Sequence, residues 1–378
     1  MKIGFDAKRA FFNYTGLGNY SRLIIHALFN NYPEHQYFLF TPKTKRAINF
    51  LAEEQKEKLE IIKPEKRFGK ILKSYWRSVL VTNRIAKLKL DIYHGLSNEL
   101  PFNINEANTK SIVSIHDLIF LRFPEYYKAV DREIYDKKSR ESCKNANKII
   151  AVSEQTKKDI IEYYSVSEEK IKVIYQCCDP IFQTTPTEEQ FNKVKEKYEL
   201  PDQYILYVGT IEERKRLLNV VKSIYEGKID TPLVVIGMPT KYLKKVVNYI
   251  CHNLIENIIF LKNVPNEDLP AIYQMAQVFI YPSIFEGFGI PVLEAATSRV
   301  PVITSKGSCL EESGGPSSLY INPDDIEEMI FTINKVLESE ELRKKMIKDG
   351  FEYSKKFSLD TISSQIIQTY RELLPNAK

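Results

Sequence analysis

The chain predicts an α/β fold built from two Rossmann-like, doubly wound units facing each other across a cleft. Three observations carry this. Short apolar, β-favouring runs alternate with polar helical stretches throughout the 378 residues. The runs divide evenly, about six to each half. Between the halves, at Gln176–Pro186, the pattern breaks at Cys178-Asp179-Pro180 and Gln183-Thr184-Thr185-Pro186.

In the first half the expected strands are Lys2–Asp6, Gln36–Thr41, Ile92–His94, Ser111–Ile115, Lys148–Val152 and Lys172–Tyr175. In the second half they are Tyr204–Val208, Leu233–Gly237, Ile258–Phe260, Val278–Tyr281, Pro301–Thr304 and Ser318–Tyr320. Runs this apolar, without strict alternation, suit parallel strands covered on both faces. The expected domains are residues 1–180 and 187–360, followed by a last helix over about Thr361–Leu374.

Composition removes several function classes. A hydrophobic content of 43% over this length supports two domains of roughly 150–200 residues. No segment approaches the ~20 apolar residues of a membrane span. Met1-Lys2-Ile3-Gly4-Phe5-Asp6 enters a strand at once and offers no apolar signal region, so a cytoplasmic protein is expected. Cysteines 143, 177, 178, 251 and 309 have no metal spacing and read as reduced thiols. A net charge of +5 is too mild to point to nucleic acid.

The most informative stretch runs Glu286-Gly287-Phe288-Gly289-Ile290-Pro291-Val292-Leu293-Glu294-Ala295-Ala296. It follows the strand Val278-Phe279-Ile280-Tyr281 and leads into a helix. The loop therefore lies at the C-terminal end of a parallel strand, where open α/β sheets bind ligands. Its glycines let backbone amides approach an oxygen-rich ligand, and the helix N-terminus favours phosphate. Both glutamates can accept hydrogen bonds from hydroxyls, and a sugar nucleotide offers hydroxyls and phosphates together. The plainer alternative is a connecting loop whose Glu294 only favours the helix N-terminus.

The segment resembles the Glu-x7-Glu motif of retaining GT-B glycosyltransferases of family 4 (group 1), which include bacterial surface-polysaccharide mannosyltransferases. Two glutamates at that spacing arise by chance. The glycines, phenylalanine and proline between them make the match specific. It extends over nearly the whole chain, densest over residues 204–323 and thinnest over 43–90. It implies the GT-B fold, an acceptor domain first and a nucleotide-sugar domain second, with the last helix (361–378) packed back on the first. It also implies a GDP- or UDP-linked sugar as co-substrate, no further cofactor, and a saccharide or lipid-linked saccharide as acceptor.

The remaining site residues follow from the same two sources. Thr15-Gly16-Leu17-Gly18-Asn19-Tyr20 half-matches a dinucleotide fingerprint, but the loop is long, and the second strand ends Phe40-Thr41-Pro42 without an acid for a ribose. In the family this glycine loop covers the donor phosphates, which gives Gly16 and Gly18 that role. His116-Asp117 ends a strand; the family sets such a histidine against the donor sugar, and the alternative is a satisfied structural histidine. His94, at an earlier strand end, is a candidate for the acceptor pocket. After the strand Tyr204–Val208 come Gly209-Thr210 and then Glu212-Glu213-Arg214-Lys215-Arg216. The resemblance gives Arg214 and Lys215 to the leaving diphosphate. The expected catalytic set is thus Glu286, His116, Arg214 and Lys215. The expected donor contacts are Gly16, Gly18, Gly209, Thr210, Gly287, Phe288, Gly289, Ile290, Pro291 and Glu294.

Residues 63–90 hold nine Lys or Arg and one acid, Glu65. Phe68, Ile71, Leu72, Tyr75, Trp76, Val79 and Leu80 recur among them at helical spacing. Two readings stand: a core-packing helix, or a basic element that meets anionic membrane with Tyr75 and Trp76 at the headgroups.

Together these features predict a retaining hexosyltransferase of surface-polysaccharide synthesis. A sugar-nucleotide 2-epimerase on the same fold and a non-catalytic sugar-binding module are the alternatives. The chain has no Asp-x-Asp triplet to hold a divalent ion on a diphosphate. Turnover is therefore expected to survive excess chelator. Loss of activity in chelator, restored by Mg²⁺ or Mn²⁺, would show that a metal carries the leaving group.

Overall fold

The computed structural model of the chain describes residues 1–43, 50–51, 55, 58–64 and 70–374. The chain forms two compact units. One comprises Met1–Cys177 and the segment from Leu359 on; the other comprises Cys178–Ser358.

Among the described residues the first unit holds seven strands: β1 (Lys2–Asp6), β2 (Gln36–Phe40), β3 (Leu59–Ile62), β4 (Ile92–Gly95), β5 (Lys110–Ile115), β6 (Lys148–Ala151) and β7 (Ile171–Val173). They pair in parallel in the order β3-β2-β1-β4-β5-β6-β7. The second unit holds β8 (Ile205–Val208), β9 (Leu233–Ile236), β10 (Ile258–Leu261), β11 (Val278–Tyr281), β12 (Val302–Ser305) and β13 (Leu319–Ile321). Their order, again all parallel, is β10-β9-β8-β11-β12-β13. Both are doubly wound sheets. The direction of winding reverses between β1 and β4 and between β8 and β11, and at such points a crevice opens beyond the strand ends.

β3 was not legible in the sequence. Leu59-Glu60-Ile61-Ile62 is a four-residue edge strand with a charge inside it, too short to announce itself.

Alternate residues of each strand serve opposite faces. Ile3, Phe5, Ile92, Ile112 and Ile150 pack with Ile24, Ile25 and Leu28 of helix Gly16–Asn31. Helix Leu359–Leu373 joins this layer through Ile362, Ile366, Ile367 and Tyr370. Each such isoleucine contributes on the order of 1.5–3 kcal/mol by burial, which fastens the C-terminal helix to the first unit. On the other face Tyr93, Val113 and Ile149 meet Trp76, Val81 and Ile85.

This last layer decides part of the basic stretch. It folds as helix Lys70–Tyr75, one π-helical turn over Trp76–Leu80 and helix Val81–Leu88. Trp76 is buried in the core and does not reach a headgroup region, whereas Tyr75 is exposed. A tryptophan gains more by packing on an apolar sheet than by facing water. Lys66, Arg67 and Phe68 lie outside the described residues. Among the described residues no helix is long and apolar enough to cross a membrane.

Candidate functional site

The second unit brings its expected residues to the switch point of its sheet. β8 runs into Gly209-Thr210, and β11 runs into the loop that carries Glu286. Oε1 of Glu286 is the convergence point. It accepts from Tyr281 Oη at 2.8 Å and Ser283 Oγ at 2.9 Å. Arg214 Nη1 lies 2.9 Å from it and Lys215 Nζ 3.6 Å. Oε2 takes part in none of these contacts. Burial alone would raise this carboxyl, but the charges of Arg214 and Lys215, with the bonds from Arg214 and Tyr281, outweigh that and hold it at about 2. Glu286 is a fixed carboxylate with one oxygen to offer.

The loop is shaped by Gly289, the residue before helix Ile290–Thr297. Its φ is +102°, and a Cβ there would fall 2.6 Å from Leu310 Cδ2 and 2.8 Å from Ser313 Oγ. Only glycine fits. Phe288 turns inward, buried edge-on against Phe357 with 5.3 Å between ring centroids, so its side chain anchors the loop rather than meeting a ligand. Cys309 Sγ donates to the Glu286 carbonyl at 2.9 Å and pins the loop from the other side. Ile290 and Pro291 are half-buried in the first turn of the helix, which no side chain caps. Its positive end is left for an anion.

Glu294, on the same helix, is half-buried and accepts from Tyr273 Oη at 3.0 Å. Burial raises its carboxyl to about 7; the Tyr273 bond opposes this and the charge of Asp179 adds to it. No cation holds it down. The two motif carboxylates therefore differ in kind: one is locked ionised, the other is poised near neutrality.

The three cations after Gly209 do not act alike. Arg214 was expected at the diphosphate. It is instead buried, donating to Glu212 Oε1 at 2.6 Å, to Ser283 Oγ at 3.1 Å and to the Phe285 carbonyl, besides its pair with Glu286. Its forked guanidinium is engaged in building the loop through Nη1 and Nη2. Arg216 binds Asp324 (2.7 Å) away from the loop. Lys215 remains for a ligand. Its ammonium sits 5.3 Å from the Tyr281 ring centroid and 3.6 Å from where a Cβ on Gly209 would be. A Cβ at 209 would press on the Tyr281 ring, 3.0 Å away, while meeting Lys215 at ordinary contact distance. Thr210 is half-buried beside it in sequence, at the end of the strand.

In the first unit the glycine loop opens helix Gly16–Asn31. Gly16 is exposed with no atom near its missing Cβ, whereas a Cβ on Gly18 would lie 1.8 Å from the Asn13 carbonyl oxygen. Gly18 is thus required by backbone packing, and Gly16 is free to face a ligand.

The two histidines are corrected by their hydrogen bonds. His94 is fully buried; Nδ1 bonds Tyr370 Oη at 2.7 Å and Nε2 bonds Ser114 Oγ at 2.9 Å. Burial, with the nearby His116, lowers it to about 3. It is a neutral core residue. His116 is also buried. Gln176 Nε2 donates to its Nδ1 at 2.7 Å, and its Nε2 donates to the Leu96 carbonyl at 2.8 Å. Burial lowers it to about 4. Both ring nitrogens are taken, so the ring offers a sugar nothing without giving up a bond. What it does is hold the loop after β4, since its backbone N–H also donates to Asn98 Oδ1 at 2.8 Å.

That loop and its neighbours line a pocket of about 190 Å³ at the first sheet's own switch point, with Arg9, Ser97, Asn98, Glu99 and Asp117 among its walls. Sequence reasoning missed all five, and also Tyr281, Ser283 and Tyr273 in the second unit. The available signal was position: Arg9, Glu99 and Asp117 each follow a strand's C-terminal end.

Known glycosyltransferases resemble this chain across both units. A model described as glycosyltransferase family 4 matches residues 14–181, and one described as glycosyl transferases group 1 matches residues 188–353. The O-antigen chain mannosyltransferase B of Escherichia coli is 31% identical over 294 residues, which is 75% of this chain and 74% of that protein. The serotype-specific mannosyltransferase WbdA of the same species is 26% identical over 301 residues, 76% of this chain. This chain spans only 37% of that longer protein. Among solved structures, Anabaena HepE in complex with UDP-glucose superposes with a TM-score of 0.76 at 16% identity, over 98% of this chain and 100% of that one.

The raised Glu294 carboxyl has a consequence for stability. In the unfolded chain it ionises near 4.5, in the folded chain near 7. Its contribution is fully present below the lower value and is lost as pH rises through the higher one, on the order of 2–3 kcal/mol. Thermal melts from about pH 5 to about pH 8 should show wild type losing ground against Glu294→Gln as pH rises. Parallel curves would mean that Glu294 titrates normally.

Proposed function

The chain belongs to the family 4 (group 1) glycosyltransferases of GT-B fold, and from that premise we propose that it transfers a hexose, with retention, from a nucleoside diphosphate sugar to a saccharide acceptor in surface-polysaccharide synthesis. The observation that carries this is the meeting of Glu286, Lys215, Gly209 and the uncapped helix of Glu294 at one switch point. Mannose is the first sugar to test, since the relatives named above are mannosyltransferases, and GDP-mannose the first donor, with UDP-sugars next. A thermal-shift screen of nucleotide sugars, followed by transfer assays with and without acceptor, tests the assignment; turnover of the donor without any acceptor would favour an epimerase.

In this reading the second unit binds the donor and the first the acceptor. Glu294 accepts from the ribose hydroxyls. The free Oε2 of Glu286 and the amides of Gly287–Gly289 meet the hydroxyls of the donor sugar. Lys215 and the helix N-terminus receive the diphosphate as it departs. The bond from the sugar's anomeric carbon to the diphosphate breaks, a bond to an acceptor hydroxyl forms on the same face, and the departing diphosphate takes that hydroxyl's proton. Fixed carboxylate, cation and dipole do not reorganise during this step, which is how they favour its transition state.

Glu294→Ala is expected to weaken nucleotide binding by about 1–3 kcal/mol with a smaller effect on kcat. Lys215→Ala should also lower kcat, by about a hundredfold, because charge develops on the diphosphate. Calorimetry that finds nucleotide affinity unchanged in both variants would displace the donor site from this loop.

The working place proposed is the cytoplasmic face of an anionic membrane, where a lipid-linked acceptor would be met. The support is the exposed Arg84, Lys87 and Lys89 on and after helix Val81–Leu88, each adding about 1 kcal/mol near anionic lipid. Sedimentation with vesicles should show binding to anionic lipid that weakens at high salt and in the triple variant with glutamine at 84, 87 and 89. Binding that is absent, or equal on neutral vesicles, would leave this segment as core packing alone.

A further inference from the structure

The pocket of the first unit repeats, on a different sheet, the arrangement found at Glu286. Arg77, on the π-helical turn, is buried and reaches across to the C-terminal end of β1. Its Nε donates to both oxygens of Asp6, at 2.9 and 3.1 Å, and its Nη1 pairs with Glu99 Oε2. Lys138 Nζ lies 3.2 Å from that same oxygen. Oε1 of Glu99 takes part in none of these contacts. Burial would raise this carboxyl, but Arg77, Lys138 and Lys8 together hold it at about 2. As with Glu286, a buried arginine grips one oxygen of a carboxylate at the switch point and leaves the other.

Three more observations describe what the pocket would take. Ser97 Oγ is buried and has no hydrogen-bond partner, a state that native structures keep for a reason. Phe120, Tyr127 and Tyr135 line the pocket as one aromatic cluster, with ring centroids 5.9–6.4 Å apart. The charges on its walls balance, Arg9 and Lys138 against Glu99 and Asp117, so it has no net pull on an ion. The loop that presents Ser97 and Glu99 is already fixed. Asn98 holds a left-handed φ of 59°, its N–H donates to the Ser114 carbonyl at 2.9 Å, and His116 ties it as described.

We propose that this pocket seats one uncharged sugar ring of the acceptor, with Glu99 Oε1 and Ser97 Oγ as the hydroxyl-reading groups, the aromatic cluster against the ring's C–H face, and Arg77 as the residue that positions Glu99. The assignment rests on the reading that the first unit takes the acceptor. It makes Glu99 a specificity-determining residue, and it gives the π-helical turn a function, since that turn is where Arg77 leaves the helix.

The test uses the full chain. Glu99→Gln, Ser97→Ala and Tyr135→Ala should each raise the acceptor KM, by about ten- to a hundredfold for Glu99→Gln, while nucleotide affinity stays as in wild type. Arg77→Lys should raise it less than Arg77→Met, with circular dichroism checking that each variant folds. Saturation-transfer NMR with methyl α-mannoside should show binding to wild type that is lost in Glu99→Gln, and no binding of the anionic methyl glucuronide. Hexosyl transfer with an acceptor KM unmoved in the Glu99, Ser97 and Tyr135 variants would overturn the pocket and leave the transferase assignment standing. Glycoside binding that depends on Glu99, in a chain that transfers no hexose, would uphold the pocket and sink the transferase assignment. Glycoside binding equal in wild type and Glu99→Gln would also overturn the pocket.

Discussion

A carboxylate held by one oxygen, from a buried arginine, is the interaction on which both candidate sites rest. In the second unit it is Glu286 on Arg214; in the first it is Glu99 on Arg77. Burying either charge alone would be costly, and removing one partner would strand the other at a penalty of about 3–5 kcal/mol. The structure therefore fixes each carboxylate in place and in charge before any ligand arrives. Around each clamp the parallel sheet supplies the rest: strand ends that open a crevice, and a loop that a glycine or a left-handed asparagine bends into position.

The clamp also explains what could be read in the sequence and what could not. Strands such as Lys2–Asp6 and Val278–Tyr281 were legible to the residue, because the middle of a parallel strand buried on both faces is apolar, as in Ile3-Gly4-Phe5 and Val278-Phe279-Ile280. The Glu286–Glu294 segment was legible because its glycines are fixed by close contacts, as at Gly289. Arg214 was found, but its pairing with Glu286 was not. A basic run looks the same whether its members face a phosphate or a buried glutamate, and only the fold turns Arg214 inward, Arg216 sideways and Lys215 toward the loop. Glu99 and Arg77 were invisible for the same reason. They are 22 residues apart on a helical turn and a loop, and no local pattern links them.

The histidines illustrate the opposite error. His94 and His116 end strands where a ligand-facing histidine is expected, and both prove to be interior hydrogen-bonding groups. His94 joins Ser114 to Tyr370 of the C-terminal helix, so a residue that looked functional ties the helix to the sheet. His116 fixes the loop of Ser97 and Glu99 through its ring and its backbone N–H. A strand end is thus a good guide to where a site lies and a poor guide to which side chain there meets a ligand.

The two glutamates of the motif are not interchangeable acceptors. Glu286 has a guanidinium and an ammonium beside it, so it stays ionised through the whole physiological range and keeps one oxygen outside those contacts. Glu294 has only a tyrosine hydroxyl and the repulsion of Asp179, so its charge is conditional on pH and on what it binds. A group whose charge can change couples any binding event to proton uptake or release, whereas a group that cannot change charge adds no such coupling. Eight residues apart, one carboxylate is a fixed charge and the other a titrating one. The difference comes from their neighbours alone: Arg214 and Lys215 in one case, Tyr273 in the other.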